Sequence, residues 1–321
     1  MPSHIVVVIS KPGLPHLSVL NELPPSAKVT IGNSTHDLAS AVPHADVILN
    51  ANFQPEPFRS IFPQAHQVQW LHSLSAGVEA MLSPEVLASP VPLTNARGVF
   101  RESLAEFVIG AMLYFAKDFR RMIRNQTAGR WEQFDIEMLQ GATLGIIGYG
   151  EIGKAAARLA KTFGMRIVAI RRRVPSAPDP LLDETYTPQQ LADMLPHCDY
   201  VLVAAPNTPE THGMIGEKQF GLMKNTAVIM NVGRGPVIVE QALIGALQTK
   251  RIRGAALDVF DQEPLPPGSD FYHLENVLLS PHCADHTVGW IELAMRKFVD
   301  NYKLFDTGQP LDNIVDKKAG Y

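Results

Sequence analysis

The sequence contains a glycine-rich hexapeptide with the spacing of a dinucleotide-binding turn: Gly148, Tyr149, Gly150, Glu151, Ile152 and Gly153. The apolar run TLGII precedes it, and a helix-forming run, EIGKAAARLAKTF, begins within it. Gly148 would permit a tight turn, Gly150 would let the backbone approach a pyrophosphate, and Gly153 would let the helix pack closely on the strand. The N–H groups and the dipole of the helix N-terminus would hold the phosphates. This pattern also occurs in ordinary turns, but the strand before it and the helix after it favour nucleotide binding.

Three consecutive arginines, Arg171, Arg172 and Arg173, follow the next apolar run, FGMRIVAI. Units that bind NAD usually carry an acidic residue about 20 residues past the glycines, where it accepts hydrogen bonds from the ribose 2′-hydroxyl. No acid is present here. Because a guanidinium pairs well with phosphate and a carboxylate would repel it, the pattern predicts a preference for NADP. The alternative is that these arginines lie in a solvated loop.

Three further ionisable residues follow apolar runs in the second half of the chain: Arg234 in NVGRG, Glu263 in DQEP and His282 in SPH. Each alone has an ordinary explanation, as a surface charge or a hydrogen-bonded loop residue. In a parallel sheet, however, ligands bind beyond the carboxyl ends of the strands. Three such residues in one nucleotide-binding unit therefore indicate a catalytic site.

The elements that must position these residues alternate between short β-branched runs and helix-period segments, which predicts parallel sheets with crossover helices. We expect an α/β protein with two doubly wound, Rossmann-like parallel-sheet domains. Predicted strands are 5–10, 28–32, 46–50, 68–74, 92–95, 144–147, 166–170, 200–205, 226–232, 254–259 and 277–280. Predicted helices are 102–117, 151–163, 188–195, 240–249 and 288–305.

The motifs GYGEIG, CDYVLVAAPNTPETHGMI, NVGRG, ALDVFDQEP and SPH together resemble the D-isomer-specific 2-hydroxyacid dehydrogenase family. They have the order and spacing of that family over residues 140–285, and LSAGVE and NARG extend a looser match over residues 70–110. The resemblance implies hydride transfer from NADPH to the carbonyl of a small 2-keto acid, which gives the D-2-hydroxy acid reversibly. Glyoxylate, hydroxypyruvate and branched or aromatic 2-keto acids are all compatible substrates.

The resemblance also implies roles for individual residues. His282 would be the general acid, Glu263 would stabilise its protonated form, and Arg234 would bind the substrate carboxylate and polarise the carbonyl. The backbone of Ala76 and Gly77 would bind the same carboxylate. The coenzyme would contact the hexapeptide, the three arginines, and Pro206, Thr211, Val232, Arg234, Asp258 and His282, with Asp258 orienting the nicotinamide carboxamide. No metal is required.

The same resemblance implies two domains with the active site in the cleft between them. Residues 1–98 plus 289–321 would form the substrate-binding domain, and residues 99–288 the dinucleotide-binding domain. A homodimer is expected, with the apolar helix 103–117 and the segment around Trp131 as its candidate contacts. Packing inside the chain is an equally good explanation for both.

Two alternatives remain from the sequence. One is an NADH-dependent member of the family, and the other is a cofactor-sensing, corepressor-like binding protein. Asp285 and His286 follow the catalytic motif and either face the substrate or cap the next helix; the cap is favoured. Phe53, Leu74, Trp290 and Met295 are apolar residues that either shape a substrate pocket or belong to the core.

Bulk composition narrows the class of protein. The net charge of −4 gives no sign of a nucleic-acid partner or an anionic membrane surface. Cys198 and Cys283 are too few for a disulfide framework and lie in no metal-binding spacing. No segment reads as a secretory signal or a membrane span, so we expect a cytoplasmic protein.

Overall fold

The structure is a computed structural model that describes residues 3–172 and 177–320. Its strands are β1 His4–Ile9, β2 Ala27–Gly32, β3 Val47–Asn50, β4 Trp70–Ser73, β5 Leu93–Asn95, β6 Thr143–Ile147, β7 Arg166–Ile170, β8 Glu184–Tyr186, β9 Tyr200–Val203, β10 Val228–Asn231, β11 Gly254–Leu257 and β12 Val277–Leu279. Its α-helices are α1 Thr35–Leu38, α2 Phe58–Ile61, α3 Pro84–Ala88, α4 Arg101–Ala116, α5 Phe119–Thr127, α6 Glu151–Thr162, α7 Leu191–Met194, α8 Glu217–Leu222, α9 Glu240–Gln248 and α10 Trp290–Asp306. Short 3-10 helices cover Pro15–Glu22, Val42–His44, Phe62–Gln64, Pro188–Gln190, Leu195–His197, Gly235–Val237 and Asp270–Tyr272.

The chain divides into two compact units, Met1–Phe100 with Thr287–Tyr321, and Arg101–His286. In the first unit, the described strands form one parallel sheet in the order β2-β1-β3-β4-β5. Its core is aliphatic and aromatic, and the stacked rings of Trp70 and Phe298, 5.2 Å apart, join β4 to α10. Strand order reverses beside β1, as in other doubly wound sheets.

The described strands of the second unit form a parallel sheet in the order β12-β11-β10-β9-β6-β7-β8. β6 and β9, both fully buried, are neighbours in the middle of this sheet. The chain leaves β6 towards β7 on one side and returns to β9 on the other, so the strand order reverses between these two strands. A doubly wound sheet binds its ligands at this point. Two parallel-sheet α/β units confirm the predicted fold class.

Several predicted elements differ from the structure. The helix predicted over 188–195 is broken into a 3-10 turn, the single turn of α7 and another 3-10 turn, with Pro188 and Pro196 at the starts of the 3-10 turns. Strands β9 and β11 end two residues before their predicted ends, and β10 ends one residue before. Asp258 therefore lies just past β11 rather than within it. Strand β8 and the helices α1, α2, α3, α5 and α8 were not predicted.

The two candidate dimer segments have different surroundings within the second unit. α4 buries eight side chains and packs against α6 within the same chain. Trp131, in contrast, is 95% exposed in the single chain. No helix in the described part of the chain is long and apolar enough to cross a bilayer.

Candidate active site

The glycine-rich turn lies where the strand order of the second sheet reverses. Gly148 has φ +96°, and a Cβ built there would lie 2.5 Å from the amide nitrogen of Ala205, just past β9. A Cβ on Gly153 would lie 2.7 Å from the carbonyl oxygen of Gly148. A Cβ on Gly150 would meet no atom within 4 Å, although this residue is the N-cap of α6. Packing therefore requires the outer two glycines, whereas the open space at Gly150 fits a bound group.

The other residues of the hexapeptide flank this turn. Glu151 begins α6 and accepts a hydrogen bond from Arg101 at 2.9 Å, which ties α6 to the start of α4. Ile152 is half-buried in the first turn of the helix. The ring of Tyr149 lies beneath the guanidinium of Arg171, whose central carbon is 5.2 Å from the ring centroid.

The arginines after β7 have acidic neighbours. Arg171 is 20% exposed, and its Nη1 lies 3.6 Å from Oδ2 of Asp179. Arg172 is exposed, and with the Thr208 hydroxyl, which has the larger effect, it lowers the pKa of Glu210. Arg173 lies outside the described residues.

The loop after β9 contains two predicted coenzyme contacts, Pro206 and Thr211. The Thr211 hydroxyl donates to the carbonyl of Pro206 at 2.6 Å and accepts from the amide of Thr208 at 2.8 Å. Thr211 therefore fixes the shape of this loop. Val232, after β10, is buried, and a Cβ on the next residue, Gly233, would lie 2.5 Å from the Ala205 carbonyl oxygen.

Arg234 lies between two glycines that must remain glycines. Besides the contact of Gly233 with Ala205, a Cβ on Gly235 would lie 2.0 Å from the backbone of Phe260. The side chain of Asn231 accepts from the Gly233 amide and donates to the Arg234 carbonyl, both at 3.0 Å. The half-buried Arg234 is thus held on a tight turn at the end of β10.

Glu263 and His282 form a direct pair. Nδ1 of His282 lies 2.5 Å from Oε2 of Glu263, and the other carboxylate oxygen accepts from the Phe260 amide at 2.9 Å. The hydrogen bond that His282 donates to the Glu263 carboxylate raises the pKa of His282 against the opposing effects of burial and Arg234. Burial alone would raise the pKa of Glu263, but the bonds from His282 and Phe260 outweigh it and lower that pKa. The pair therefore favours carboxylate and imidazolium together.

Asp258 fixes the loop that carries His282. It is buried, and its Oδ1 accepts from the Ser280 hydroxyl at 2.6 Å and from the amides of Cys283 and Ala284 at 2.9 and 3.0 Å. These contacts lie on both sides of His282, whose φ of +51° is left-handed. Loop binding by Asp258 was not predicted from the sequence, although its position just past β11 is a signal for a role at the site.

The predicted helix cap by Asp285 or His286 is wrong. The next helix, α10, begins only at Trp290, and its N-cap is Gly289. Asp285 instead has its Oδ1 buried, 3.6 Å from Nε2 of His286, and burial raises its pKa.

Ala76 and Gly77 lie in the first unit, in the loop after β4. The Ala76 carbonyl accepts from Asn95 at 2.6 Å, and the Gly77 carbonyl accepts from Ser75 at 2.5 Å. These side chains, which sequence reasoning missed, fix the loop. Of the four apolar candidates in this unit, Leu74 and Met295 are fully buried core residues. The other two are Phe53 and Trp290, whose ring centroids are 5.7 Å apart.

Comparison with known proteins identifies the family. The family described as D-isomer specific 2-hydroxyacid dehydrogenase, NAD binding domain, matches residues 109–284, which is more than half of the chain. A glyoxylate reductase of Korarchaeum cryptofilum is 33% identical over 308 residues, which cover 93% of this chain and 89% of the relative.

Solved structures agree over the whole length. A D-isomer specific 2-hydroxyacid dehydrogenase of Xanthobacter autotrophicus, solved with NADPH and MES, has a TM-score of 0.84 at 28% identity and covers 99% of this chain and 100% of its own. An NADPH-dependent glyoxylate/hydroxypyruvate reductase of Sinorhizobium meliloti, solved with NADP and sulfate, has a TM-score of 0.87 at 25% identity with the same coverage. The chain therefore belongs to the D-isomer specific 2-hydroxyacid dehydrogenase family of oxidoreductases.

Proposed function

We propose that this protein uses NADPH to reduce a small 2-keto acid to the D-2-hydroxy acid, with His282 as the proton donor. The observation that carries the proposal is the 2.5 Å pair of His282 and Glu263, which raises the pKa of the imidazole. A 2-keto acid gains a proton on its carbonyl oxygen when hydride is added to the carbonyl carbon. An imidazole whose pKa is raised in this way keeps its proton to higher pH and is suited to supply it.

The pair also determines which nitrogen of His282 reacts. Because Nδ1 donates to Glu263, Nε2 is the nitrogen that delivers the proton. Glu263 cannot rotate freely, since its other oxygen is held by the Phe260 amide. Asp258 keeps the loop in place through Ser280 and two amides, so the imidazole is oriented before substrate binds.

We assign substrate binding to Arg234 and to the loop of Ala76 and Gly77. The planar guanidinium of Arg234 can pair with a carboxylate through two hydrogen bonds, and its charge polarises the adjacent carbonyl. The carbonyls of Ala76 and Gly77 already accept hydrogen bonds from the side chains of Asn95 and Ser75. This fixed loop suits the backbone amides of Ala76 and Gly77 to a second contact with the substrate carboxylate. We also propose that residues 1–98 plus 289–321 form the substrate-binding domain and that residues 99–288, which contribute Arg234 and His282, form the dinucleotide-binding domain.

The residues of the second unit fit a dinucleotide. The space at Gly150 and the N-terminus of the twelve-residue helix α6 suit the pyrophosphate. Arg171 and Arg172 suit a 2′-phosphate, and Pro206, Val232 and Asp258 suit the nicotinamide end. When bound, the nicotinamide supplies the hydride. NADP in two similar solved structures supports this choice of coenzyme.

Glyoxylate and hydroxypyruvate are the substrates that we propose first, because two of the similar proteins described above are named as reductases of these compounds. We also propose a cytoplasmic homodimer. The exposed Trp131, with Ile136 and Met138 nearby in sequence, supplies apolar surface for the subunit contact. Light scattering on the purified protein gives the oligomeric state directly.

The test of the function is oxidation of NADPH and of NADH at 340 nm with 2-keto acids from glyoxylate to phenylpyruvate. We expect turnover with NADPH and a lower kcat/KM with NADH. A higher kcat/KM with NADH would favour the NADH-dependent alternative. Binding of NADPH without turnover of any 2-keto acid would contradict the proposed reaction.

A further inference from the structure

Hydrogen bonds within a turn hold the carboxylate of Asp179 beside Arg171. Its Oδ1 accepts from the amide of Leu181 at 3.1 Å, and its carbonyl accepts from the amide of Leu182 at 3.0 Å. Its second oxygen, Oδ2, lies 3.6 Å from Nη1 of Arg171. The turn therefore fixes the direction in which the negative charge points.

Arg171 is confined between this acid and an aromatic ring. Its guanidinium lies over Tyr149, within the glycine-rich turn, and its amide donates to the Tyr186 carbonyl at 2.9 Å. Arg171 and Asp179 are each only 20% exposed, so water screens their charges less than at an open surface. Burial and the Asp179 carboxylate raise the pKa of Tyr149, which keeps the phenol neutral.

We propose that Asp179 is a specificity-determining residue that lowers the affinity of Arg171 for a 2′-phosphate. The inference rests on the proposed function, in which Arg171 binds that phosphate. A phosphate monoester carries between one and two negative charges at neutral pH and would approach a guanidinium that already has a carboxylate neighbour. Because Leu181 holds Asp179 in place, the acid cannot swing away to relieve the repulsion.

Asp179 therefore narrows the difference in affinity between phosphorylated and unphosphorylated coenzyme. It also holds the guanidinium over Tyr149, a positioning effect that would favour binding. The repulsion between Asp179 and the phosphate is the larger of the two effects, because the carboxylate charge remains beside the phosphate after binding. The positioning effect is smaller, because Tyr149 and the backbone still support Arg171 without Asp179.

The test compares the Kd of 2′,5′-ADP, which carries the 2′-phosphate, with that of 5′-ADP, which lacks it, by isothermal titration calorimetry. Asp179→Asn removes the charge and keeps an oxygen for the Leu181 amide. We expect it to tighten 2′,5′-ADP by about threefold to tenfold and to leave 5′-ADP unchanged. Asp179→Ser also keeps a side-chain oxygen that can accept from the Leu181 amide, and it should likewise lower the Kd of 2′,5′-ADP.

Two further variants isolate the cause. Asp193→Asn makes the same change of charge at an exposed position on α7 and should leave both Kd values at the wild-type level. In an Arg171→Ala background, Asp179→Asn should lose most of its effect, since the two side chains act together. An Asp179→Asn variant that binds 2′,5′-ADP equally or more weakly would overturn the proposal.

This outcome is separate from the proposed function. If the wild-type protein bound 5′-ADP more tightly than 2′,5′-ADP, the NADP preference would be wrong. The change caused by Asp179→Asn would still be measured in the same titrations, and an unchanged Kd for 2′,5′-ADP would still refute the role of Asp179.

Discussion

The hydroxyl of Ser280 lies 2.6 Å from Oδ1 of Asp258, across the ends of the neighbouring strands β11 and β12. The same oxygen accepts from the amides of Cys283 and Ala284, so one buried carboxylate oxygen connects both sides of His282 to the sheet. Buried hydrogen bonds to a charged acceptor are among the stronger ones in proteins. The position of the proposed proton donor therefore depends on Asp258 as well as on Glu263.

Removal of the Asp258 carboxylate should lower both the stability and the activity of the protein. We expect Asp258→Ala to lower the free energy of unfolding by about 2–4 kcal/mol, because it leaves two loop amides and one hydroxyl without an acceptor. Ser280→Ala, the control, removes one of these bonds and should cost about 1 kcal/mol. Urea unfolding measures both values. Equal losses for the two variants would show that Asp258 does not hold the loop.

Replacement of Glu263 should move the pH profile of keto acid reduction. Protonated His282 is the active form, so activity is present below its pKa and is lost as pH rises through it. Glu263→Gln removes the hydrogen-bonded charge that raises this pKa, so kcat/KM should begin to fall at a lower pH. Above neutral pH we expect a loss on the order of tenfold or more. Glu217→Gln, at an exposed position on α8, should keep the wild-type profile, and an unshifted profile for Glu263→Gln would refute the pairing.

Two glycines of the hexapeptide should respond differently to alanine. Gly148→Ala forces a Cβ against Ala205 in a left-handed backbone and should destabilise the protein by about 2 kcal/mol or more. Gly150→Ala meets no atom, so the melting temperature should change little while the Kd of NADPH rises about tenfold or more. Thermal unfolding and fluorescence titration with NADPH give these quantities. Normal NADPH binding by Gly150→Ala would place the pyrophosphate elsewhere.

The buried His72 makes the stability depend on pH. Burial lowers its pKa to about 3, and the nearby charge of Lys297 acts in the same direction. In the unfolded chain the same histidine has a pKa of about 6.5. The free energy of unfolding is therefore highest above that pH and falls as the pH is lowered, by up to about 1.4 kcal/mol per pH unit. His72→Leu should reduce this slope between pH 6 and 4, whereas exposed His66→Leu should not. Identical slopes in urea unfolding for wild type and His72→Leu would contradict this account.

Sequence patterns were sufficient to predict the two sheets, because β-branched runs and glycine spacing are local properties. The pairing of Glu263 with His282 is consistent with the prediction that adjacent strand ends bring such residues together. The hydrogen bonds of Asp258 and the contact of Arg171 with Asp179 were not predictable, since they depend on loop conformation and not on any periodic pattern. The predicted cap at Asp285 was wrong because the helix begins further along the chain, after Gly289, which has a left-handed φ of +80°.

The most direct test of the central claim is the rate of NADPH oxidation with glyoxylate by wild type and by His282→Ala, with NADPH binding measured on both. We predict turnover by the wild type and a loss of about 10²–10⁴-fold in kcat for the variant, with the Kd of NADPH little changed. A His282→Ala variant that reduces glyoxylate at the wild-type rate would contradict the assignment of His282 as the proton donor.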